Sequence, residues 1–478
     1  MSLFQQPVVI LGAGPTGLGA AWALHTAGCP SWELLEGSDH AGGLASSILD
    51  AQGFTWDLGG HVLFSHYEYF DRLMDDLLGD AWIEHERESW IWMRHRFIPY
   101  PLQNNIRHLP LREFWRCLLG LWRRTDHPSG PDFRAWLLAH FGPGLYESFL
   151  GPYNRKVWAR DLSALCSDWV GERVSRASVG RILSNVLLRR DDRSWGPNAT
   201  FRFPRRGGTG AIWQALSERL PKEKMRFGRK VKRIHTRDRF IECETGERYR
   251  YDRLLSSIPL DQLLRRLEDR PDLAAEAEPF RHSSTHVVGI GLEGQPPDSL
   301  KKKCWVYFPE ESSPFYRMTV FSNYSPYNVP RPGQQWSLMA ETSESPEKAV
   351  DGSSIVHETL AALKRFSFIP PDSRIQSVFH HRLEYGYPTP FLGRDRLLVS
   401  LDAELRSMGI WSRGRFGGWK YEISNQDHSL MQGVETIAHW MNGAAESTYS
   451  TPHRVNAGVN RPPYCPPSFR RSTITSSS

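Results

Sequence analysis

The sequence predicts an α/β protein that also contains a helical region and an antiparallel β-sheet region. Three patterns along the 478 residues support this prediction. Near the N-terminus, a short apolar strand, a glycine-rich turn, a helix of small residues and a second strand follow one another. Further along, apolar residues recur at helical spacing, and a later region consists of β-branched and aromatic runs bounded by Gly, Pro and Ser.

The N-terminal pattern has the spacing of a Rossmann-like dinucleotide-binding unit. Residues 8–11 form the strand, and Gly12, Gly14 and Gly17 follow it. These glycines allow a tight turn, the approach of a pyrophosphate to the backbone, and close packing of the helix on the strand. Glu36 ends the next strand, where it can accept hydrogen bonds from a ribose diol and would repel a 2′-phosphate.

A second glycine pair, Gly42 and Gly43, follows soon after Glu36. A second glycine pair lets the phosphates and the ribityl chain of a flavin cofactor approach the backbone, which a site for NAD does not need. This spacing, with glycine-rich pieces at 203–210 and 413–418, resembles the glutathione-reductase-like flavoproteins, which include amine oxidases. The resemblance implies FAD, bound by a discontinuous Rossmann-like domain formed from residues 1–82, 205–260 and 406–445.

The rest of the chain divides into two further regions and a tail. A helical domain is expected at residues 104–185. An antiparallel sheet domain that binds substrate is expected at residues 84–103, 186–204 and 261–405. The end of the chain, residues 450–478, is rich in Pro, Ser and Arg, and we predict that it is disordered.

The segment 111–124 combines arginines with Trp115 and Trp122 at helical spacing. We expect a helix that packs on a neighbouring helix. The alternative is a helix that touches a membrane surface, since basic and tryptophan-bearing helices do so.

The composition argues against several classes of protein. The net charge of +6 suits an anionic metabolite, but no basic run with interleaved aromatic residues suggests nucleic acid. The six cysteines are scattered without a CxxC pair, which disfavours zinc and disulfides and fits a reducing compartment. No stretch resembles a signal peptide or a membrane span, so we expect a cytoplasmic protein without a metal.

Ten short motifs, in order along the chain, resemble those of the UDP-galactopyranose mutase family in its eukaryotic, fungal-like branch. The resemblance covers about residues 7–445. The motifs are residues 59–67, 99–105, 152–158, 171–173, 195–201, 304–308, 315–317, 321–324, 386–390 and 425–429.

This resemblance implies an isomerase that interconverts UDP-galactopyranose and UDP-galactofuranose for cell-wall galactofuranose biosynthesis. In the family, N5 of reduced FAD is the nucleophile on anomeric C1, and NADPH is the reductant. The sequence agrees, because it has no GxSxG elbow, no Cys–His signature and no glycosidase-like pair of carboxylates. A homo-oligomer is left open.

By the same resemblance, Arg173 and Arg317 clamp the diphosphate, and His61 lies against the flavin, so these three residues are the expected catalytic groups. The residues expected to bind the nucleotide sugar are Tyr100, Gln103, Asn154, Trp158, Asn198, Tyr307, Tyr324, Tyr387 and Tyr421. The residues expected to bind FAD are Gly12, Gly14, Thr16, Gly17, Glu36, Gly43, Leu44, Ser46, Gly60, His61, Arg87, Val231, Arg415, Asn425, Gln426 and Ser429.

One residue departs from the family pattern. Leu102 stands where the fungal enzymes usually carry Phe, so a uracil ring would lose stacking of about 1 kcal/mol there. Leu102 and the short loop after Tyr327 keep open a related mutase for another nucleotide sugar. A second alternative is an amine-oxidase-like oxidoreductase, which shares the FAD-binding frame. A third is a non-catalytic nucleotide-sugar sensor, which the presence of His61, both arginines and the tyrosines disfavours.

Overall fold

The computed structural model describes residues 7–171, 179–192 and 199–457. The strands, in chain order, are β1 (Val8–Leu11), β2 (Trp32–Leu35), β3 (Ser47–Leu49), β4 (Thr55–Asp57), β5 (Trp82–Glu86), β6 (Ser89–Met93), β7 (Arg96–Pro99), β8 (Thr200–Pro204), β9 (Met225–Arg226), β10 (Val231–His235), β11 (Phe240–Cys243), β12 (Arg248–Arg250), β13 (Arg253–Ser256), β14 (His282–Glu293), β15 (Trp305–Tyr307), β16 (Arg317–Thr319), β17 (Gln335–Glu344), β18 (Ile375–Pro388) and β19 (Ile410–Ser412). The α-helices are α1 (Pro15–Thr26), α2 (Glu68–Leu78), α3 (Leu111–Trp122), α4 (Phe133–Leu145), α5 (Gly151–Trp158), α6 (Val179–Leu187), α7 (Gly210–Glu218), α8 (Leu260–Leu264), α9 (Pro271–Ala275), α10 (Ile355–Arg365), α11 (Arg394–Ser407), α12 (Gln426–Asn442), α13 (Ser447–Ser450) and α14 (Pro452–Asn456).

A five-stranded sheet in the order β19-β13-β1-β2-β9 forms the centre of the nucleotide-binding domain. All its pairings are parallel, and β1, its middle strand, is buried along its whole length. The five strands come from three separate parts of the sequence. The predicted fold class, with a discontinuous Rossmann-like domain, is therefore confirmed.

Helices α1 and α12 cover one face of this sheet and pack directly on each other. Their backbones approach so closely that a Cβ atom added at Gly19 would lie 2.4 Å from the Leu430 carbonyl oxygen. Gly433 meets the Thr16 carbonyl oxygen in the same way, at 2.0 Å. Both helices are thus held with their N-termini at the edge of the sheet where a cofactor would lie.

A second sheet contains seven strands in the order β18-β14-β17-β16-β15-β6-β7. Its three long strands, β14, β17 and β18, pair antiparallel, as predicted, and β18 forms one edge. The pairing of β15 with β6 is parallel, so the sheet is mixed rather than purely antiparallel. The predicted runs of β-branched and aromatic residues fill the clusters on both faces.

The helical region contains α3 to α6 around one apolar cluster, and α3 packs mainly on α4. A single π-turn, Tyr146–Leu150, connects α4 to α5. Within the described ranges, no helix is long and apolar enough to cross a bilayer.

Two of the expected boundaries differ from the structure. Residues 261–280 and 394–405 were assigned to the sheet domain, but α8, α9 and α11 lie in the core cluster of the parallel sheet, because their apolar faces match β1 and β13. The predicted disordered tail was wrong for residues 450–457. These residues are ordered because Asn456 donates to the Glu422 carbonyl and bonds to His428; residues 458–478 lie outside the described ranges.

Candidate active site

A cavity of about 1710 Å³ lies where the parallel sheet, the seven-stranded sheet and the helical region meet. We call its two ends the glycine end, lined by Gly12, Gly14 and Gly43, and the aromatic end, lined by Trp158 and several tyrosines. His61 and Arg317 line the cavity too.

The glycine end is a cradle built from two backbone turns. Gly12 has a φ of 96°, which favours glycine, and a Cβ at Gly17 would lie 1.8 Å from the Gly12 carbonyl oxygen. A Cβ at Gly14 would meet no protein atom closer than 4.0 Å, and its nearest neighbours would be the Gly42 and Gly43 turn. The space between the two turns is open at the N-terminus of α1, which suits a pyrophosphate.

Glu36 follows β2 and lies beside this cradle. Its carboxylate accepts hydrogen bonds from the Ala13 backbone nitrogen at 2.6 Å and from the Ser38 backbone nitrogen at 2.8 Å. The side chain is therefore fixed at the cavity wall, in the position where dinucleotide-binding folds hold a ribose.

His61 lies on a tight turn that follows Gly59 and Gly60. The His61 backbone nitrogen donates to the Gly59 carbonyl at 2.8 Å, and Gly59 has a φ of 125°. The His61 Nδ1 atom has no hydrogen-bond partner among the described residues. Burial lowers the pKa of His61 to about 4, and the nearby cations Arg317 and Arg415 contribute, so the ring is neutral at neutral pH.

Arg317 is held by Glu341 on the neighbouring strand. The Arg317 Nε and Nη2 atoms donate to the two Glu341 carboxylate oxygens at 2.7 and 2.8 Å. Burial alone would raise the pKa of the Glu341 carboxyl, but Arg317 and the donors Tyr316 and Gly60 hold it below its ordinary value. Within the described residues, Nε and Nη2 bind Glu341, and the Nη1 atom of Arg317 is the guanidinium nitrogen that can bind a ligand.

The same carboxylate joins Arg317 to the turn that carries His61. Gly60 donates its backbone N–H to Glu341 Oε1 at 3.0 Å, and the Tyr316 hydroxyl donates to Oε2 at 2.9 Å. A Cβ at Gly60 would lie 3.1 Å from Arg317 Cζ. Glu341 therefore connects Arg317 to the backbone next to His61.

The aromatic end is a box of rings from three regions of the chain. Tyr100 and Tyr307 have ring centroids 4.8 Å apart, and Trp158 and Tyr421 have centroids 5.0 Å apart. Tyr387 lies between these pairs and Arg317, and burial raises its pKa to about 12, so its hydroxyl stays protonated. Rings and hydroxyls in this arrangement can stack on a base and donate to phosphate oxygens.

Arg87 and Arg415 provide two more cations at the cavity. Arg87 lies over the Trp305 ring with its Cζ 4.9 Å from the centroid. Arg415 donates to the Gly386 carbonyl at 2.8 Å and to Ser424 Oγ at 2.9 Å. With Arg317, they favour an anionic ligand in the cavity.

The N-terminus of α12 contributes a polar wall. Its first turn carries Asp427, which accepts from His66 Nδ1 at 2.7 Å and lies 3.3 Å from His428 Nδ1. These three side chains place candidate metal ligands within 4.8 Å of one another. Their contacts with one another account for the grouping, because two imidazoles partner the buried carboxylate.

Most of the predicted site residues line the cavity. They are Gly12, Gly14, Thr16, Glu36, Gly43, Leu44, Gly60, His61, Arg87, Tyr100, Gln103, Asn154, Trp158, Tyr307, Arg317, Tyr387, Arg415, Tyr421, Asn425, Gln426 and Ser429. Two predicted residues, Arg173 and Asn198, lie outside the described residues.

Four predicted residues do not line the cavity. Gly17 and Ser46 support the two glycine turns from the side away from the cavity. Gly17 packs on Gly12, and Ser46 Oγ donates to the Gly43 carbonyl at 2.6 Å. Val231 is buried in the core beneath the parallel sheet. Tyr324 is buried among Phe201 and other rings of the seven-stranded sheet.

Leu102 is fully buried in the helical core and also does not line the cavity, so the expected loss of base stacking there does not follow. Sequence reasoning also missed residues that do line it, among them Glu341, Tyr316 and Lys420. Tyr316 lies inside a motif already noted. Glu341 carries no local signal, since its role comes from strand pairing.

The cradle at the N-terminus of α1, with Glu36 beside it and three arginines around the cavity, is typical of a protein that binds a dinucleotide cofactor. The model of the flavin containing amine oxidoreductase family matches residues 15–401. The chain belongs to this family. The family match assigns the dinucleotide cofactor as FAD.

Solved structures agree with the fold. The crystal structure of a reduced UDP-galactopyranose mutase is 48% identical, with a TM-score of 0.92, over 95% of this chain and 98% of that one. A putative protoporphyrinogen oxidase from Exiguobacterium sp. 255-15 is 18% identical, with a TM-score of 0.70, over 91% of this chain and 99% of that one. A fatty acid isomerase from P. acnes is 14% identical, with a TM-score of 0.62, over 91% and 99%. The last two show the fold alone.

Proposed function

We propose that this protein is a flavin-dependent isomerase that interconverts UDP-galactopyranose and UDP-galactofuranose. The observation that carries the proposal is the continuity of one cavity from the glycine end, past His61, to Arg317 and the aromatic end. In this proposal the glycine end holds a flavin and the aromatic end holds a nucleotide sugar beside it. The 48% identity to a UDP-galactopyranose mutase supports the same assignment.

The chain would hold the cofactor with few side chains. Gly14 and Gly43 would leave room for the pyrophosphate, and Glu36 would accept hydrogen bonds from the ribose. Asn425 and Gln426, at the N-terminus of α12, would contact the flavin ring. When bound and reduced, FAD supplies the nucleophile that the polypeptide lacks, at its N5 atom.

Arg317 would orient the diphosphate and stabilise the charge that the departing UDP carries. Glu341 holds the guanidinium in one orientation before the substrate arrives, so little reorganisation is needed. Tyr307, Tyr387 and Tyr421 surround the same position and would close the cavity to water. Arg173 is proposed as the second arginine of this clamp.

Reduction of the flavin needs a separate donor. We propose that NADPH enters the same cavity transiently, since the chain has one Rossmann fingerprint and FAD takes it. Arg87 and Arg415 would then favour the reduced ring, because a cation stabilises its anionic form.

The test is one reaction followed by chromatography. We expect purified enzyme to convert UDP-galactofuranose to UDP-galactopyranose with dithionite or NADPH, and to be inactive with fully oxidised flavin. Equal turnover in the oxidised and reduced states would contradict the proposed chemistry. A panel of other UDP-sugars in the same assay tests the choice of sugar.

The main alternative is a net oxidoreductase, which the family name favours. Such an enzyme would consume oxygen or NADPH in proportion to its product. A single pre-reduced aliquot that turns over many equivalents of sugar under anaerobic conditions supports the isomerase, whereas one equivalent or less supports the oxidoreductase.

A further inference from the structure

Helix α3 exposes a stripe of large apolar side chains to solvent. Leu111, Trp115, Leu119 and Trp122 are 78%, 56%, 51% and 75% exposed. At 3.6 residues per turn, the four side chains fall within an arc of about 80°. The neighbouring side of α3, which carries Phe114, Leu118 and Leu121, is buried against the helical core. The apolar face of this helix is therefore wider than the core covers, and the exposed stripe has no partner within the described residues.

Helix α6 continues the stripe. It contacts α3, and its residues Leu183, Leu187 and the adjacent Leu188 are 37%, 82% and 56% exposed. The two helices and the adjacent Leu188 together carry seven of the twelve large apolar residues that are exposed in the described ranges. Such concentration in one place marks an interaction surface rather than random exposure.

This surface carries more positive than negative charge. Residues 111–124 and 179–190 contain seven arginines and one carboxylate. The arginines are Arg112, Arg116, Arg123, Arg124, Arg181, Arg189 and Arg190. Glu113 is paired with Arg94 at 2.7 Å. Arg116, Arg124 and Arg181 are paired with Glu147, Asp126 and Asp192, which lie outside these two segments. Arg112, Arg123, Arg189 and Arg190 have no carboxylate partner within the described residues, so the surface keeps an excess of positive charge. On α3, three of the arginines form a ridge beside the apolar stripe.

We propose that this surface, the α3–α6 face, docks on a membrane whose headgroups are anionic. Leucines and tryptophans beside arginines are the side chains of helices that lie in the bilayer interface, where the apolar stripe enters about 5–10 Å and the arginines meet the headgroups. In this proposal only the outer face of α3 and α6 meets the membrane, and none of the residues of these helices lines the cavity.

The charge also argues against a second copy of the chain as the occupant. A two-fold symmetric dimer brings the same patch of both copies together. The four arginines without a carboxylate partner in the described residues would then meet the same four of the other copy, and like charges across an interface are unfavourable. Anionic headgroups neutralise the same ridge.

The first test is flotation of the full-length holoenzyme with lipid vesicles. We expect binding to vesicles of phosphatidylcholine with about one third phosphatidylserine, and little binding to phosphatidylcholine alone. Arg112→Gln combined with Arg123→Gln is expected to weaken binding about fivefold for each arginine, and added salt to act in the same direction. Equal binding to neutral and anionic vesicles, or to neither, overturns the proposal.

The apolar part needs a matched pair of variants. Leu111→Ala with Leu119→Ala should reduce vesicle binding at least about tenfold. Leu49→Ala with Leu392→Ala removes two exposed leucines elsewhere and should leave it unchanged. Equal losses in the two variants overturn the proposal. A dimer in sedimentation experiments that dissociates only in the first variant, without vesicle binding, overturns it in favour of a second copy.

Discussion

At the glycine end of the cavity, Gly12, Gly14 and Gly43 come from one short stretch of chain, whereas the aromatic end is assembled from distant segments. Arg317 and Glu341 lie on β16 and β17 and meet only because these strands pair in that register. The glycine end is therefore encoded by local spacing. The aromatic end depends on packing between segments that are distant in the sequence. Substitutions at the two ends of the cavity should therefore have different effects.

The largest effect is expected at the glycine end. Gly14→Val would place a side chain between the two glycine turns, where the pyrophosphate must pass. We expect purified protein without bound flavin, measured by its visible absorbance, and no activity. Gly180→Val is the matched control, since an added Cβ there meets nothing within 4 Å. Full flavin content in the Gly14 variant would contradict the assignment of the cradle.

The next effect is expected at the aromatic end, with the flavin retained. Arg317→Ala should lower turnover of UDP-galactofuranose at least about 100-fold, as the loss of a transition-state charge contact does. Its flavin content should stay near that of the wild type, which separates the two ends. Arg331→Ala, which breaks a half-exposed ion pair with Glu293, should leave turnover unchanged. A wild-type rate for Arg317→Ala removes this residue from the clamp.

The same contrast explains how much the sequence could predict. The strand, the glycines and Glu36 follow one another at a fixed spacing, so the fold of the parallel sheet could be predicted from local patterns. Glu341 could not, because strand pairing brings it to Arg317. Tyr324 and Leu102 were placed by resemblance, but ring packing and the helical core take them away from the cavity.

A double-mutant cycle measures how strongly the long-range contact holds the aromatic end together. Arg317→Ala and Glu341→Ala, alone and combined, should give a coupling of about 1–3 kcal/mol in the free energy of unfolding, because Arg317→Ala leaves the buried Glu341 carboxylate without its cation. The cycle for Glu293 and Arg331, a more exposed pair, should give less than about 1 kcal/mol. Equal coupling in the two cycles would show that Glu341 does not restrain Arg317.

The smallest effect concerns the ordered C-terminal residues beside the cavity. The Thr448 backbone nitrogen and hydroxyl both bond to Glu435, each at 2.8 Å. Burial raises the pKa of Glu435 from 4.5 to about 8, although the donors from Thr448 oppose it. Between these two values the folded state keeps a proton that the unfolded chain has released. The contribution of protonated Glu435 to the free energy of unfolding is therefore fully present below pH 4.5 and is lost as the pH rises towards 8.

Glu435→Gln tests this origin of the pH dependence, because an amide has no proton to release and can make both bonds to Thr448. We expect similar free energies of unfolding for variant and wild type near pH 5, and a variant more stable by at least about 1 kcal/mol near pH 8. Denaturant titration at both pH values measures the difference. Glu223→Gln, at an exposed turn, removes the same charge and should show no such change. A constant difference across this range would mean that the pKa of Glu435 is the same in the folded and the unfolded protein, and would contradict this origin of the pH dependence.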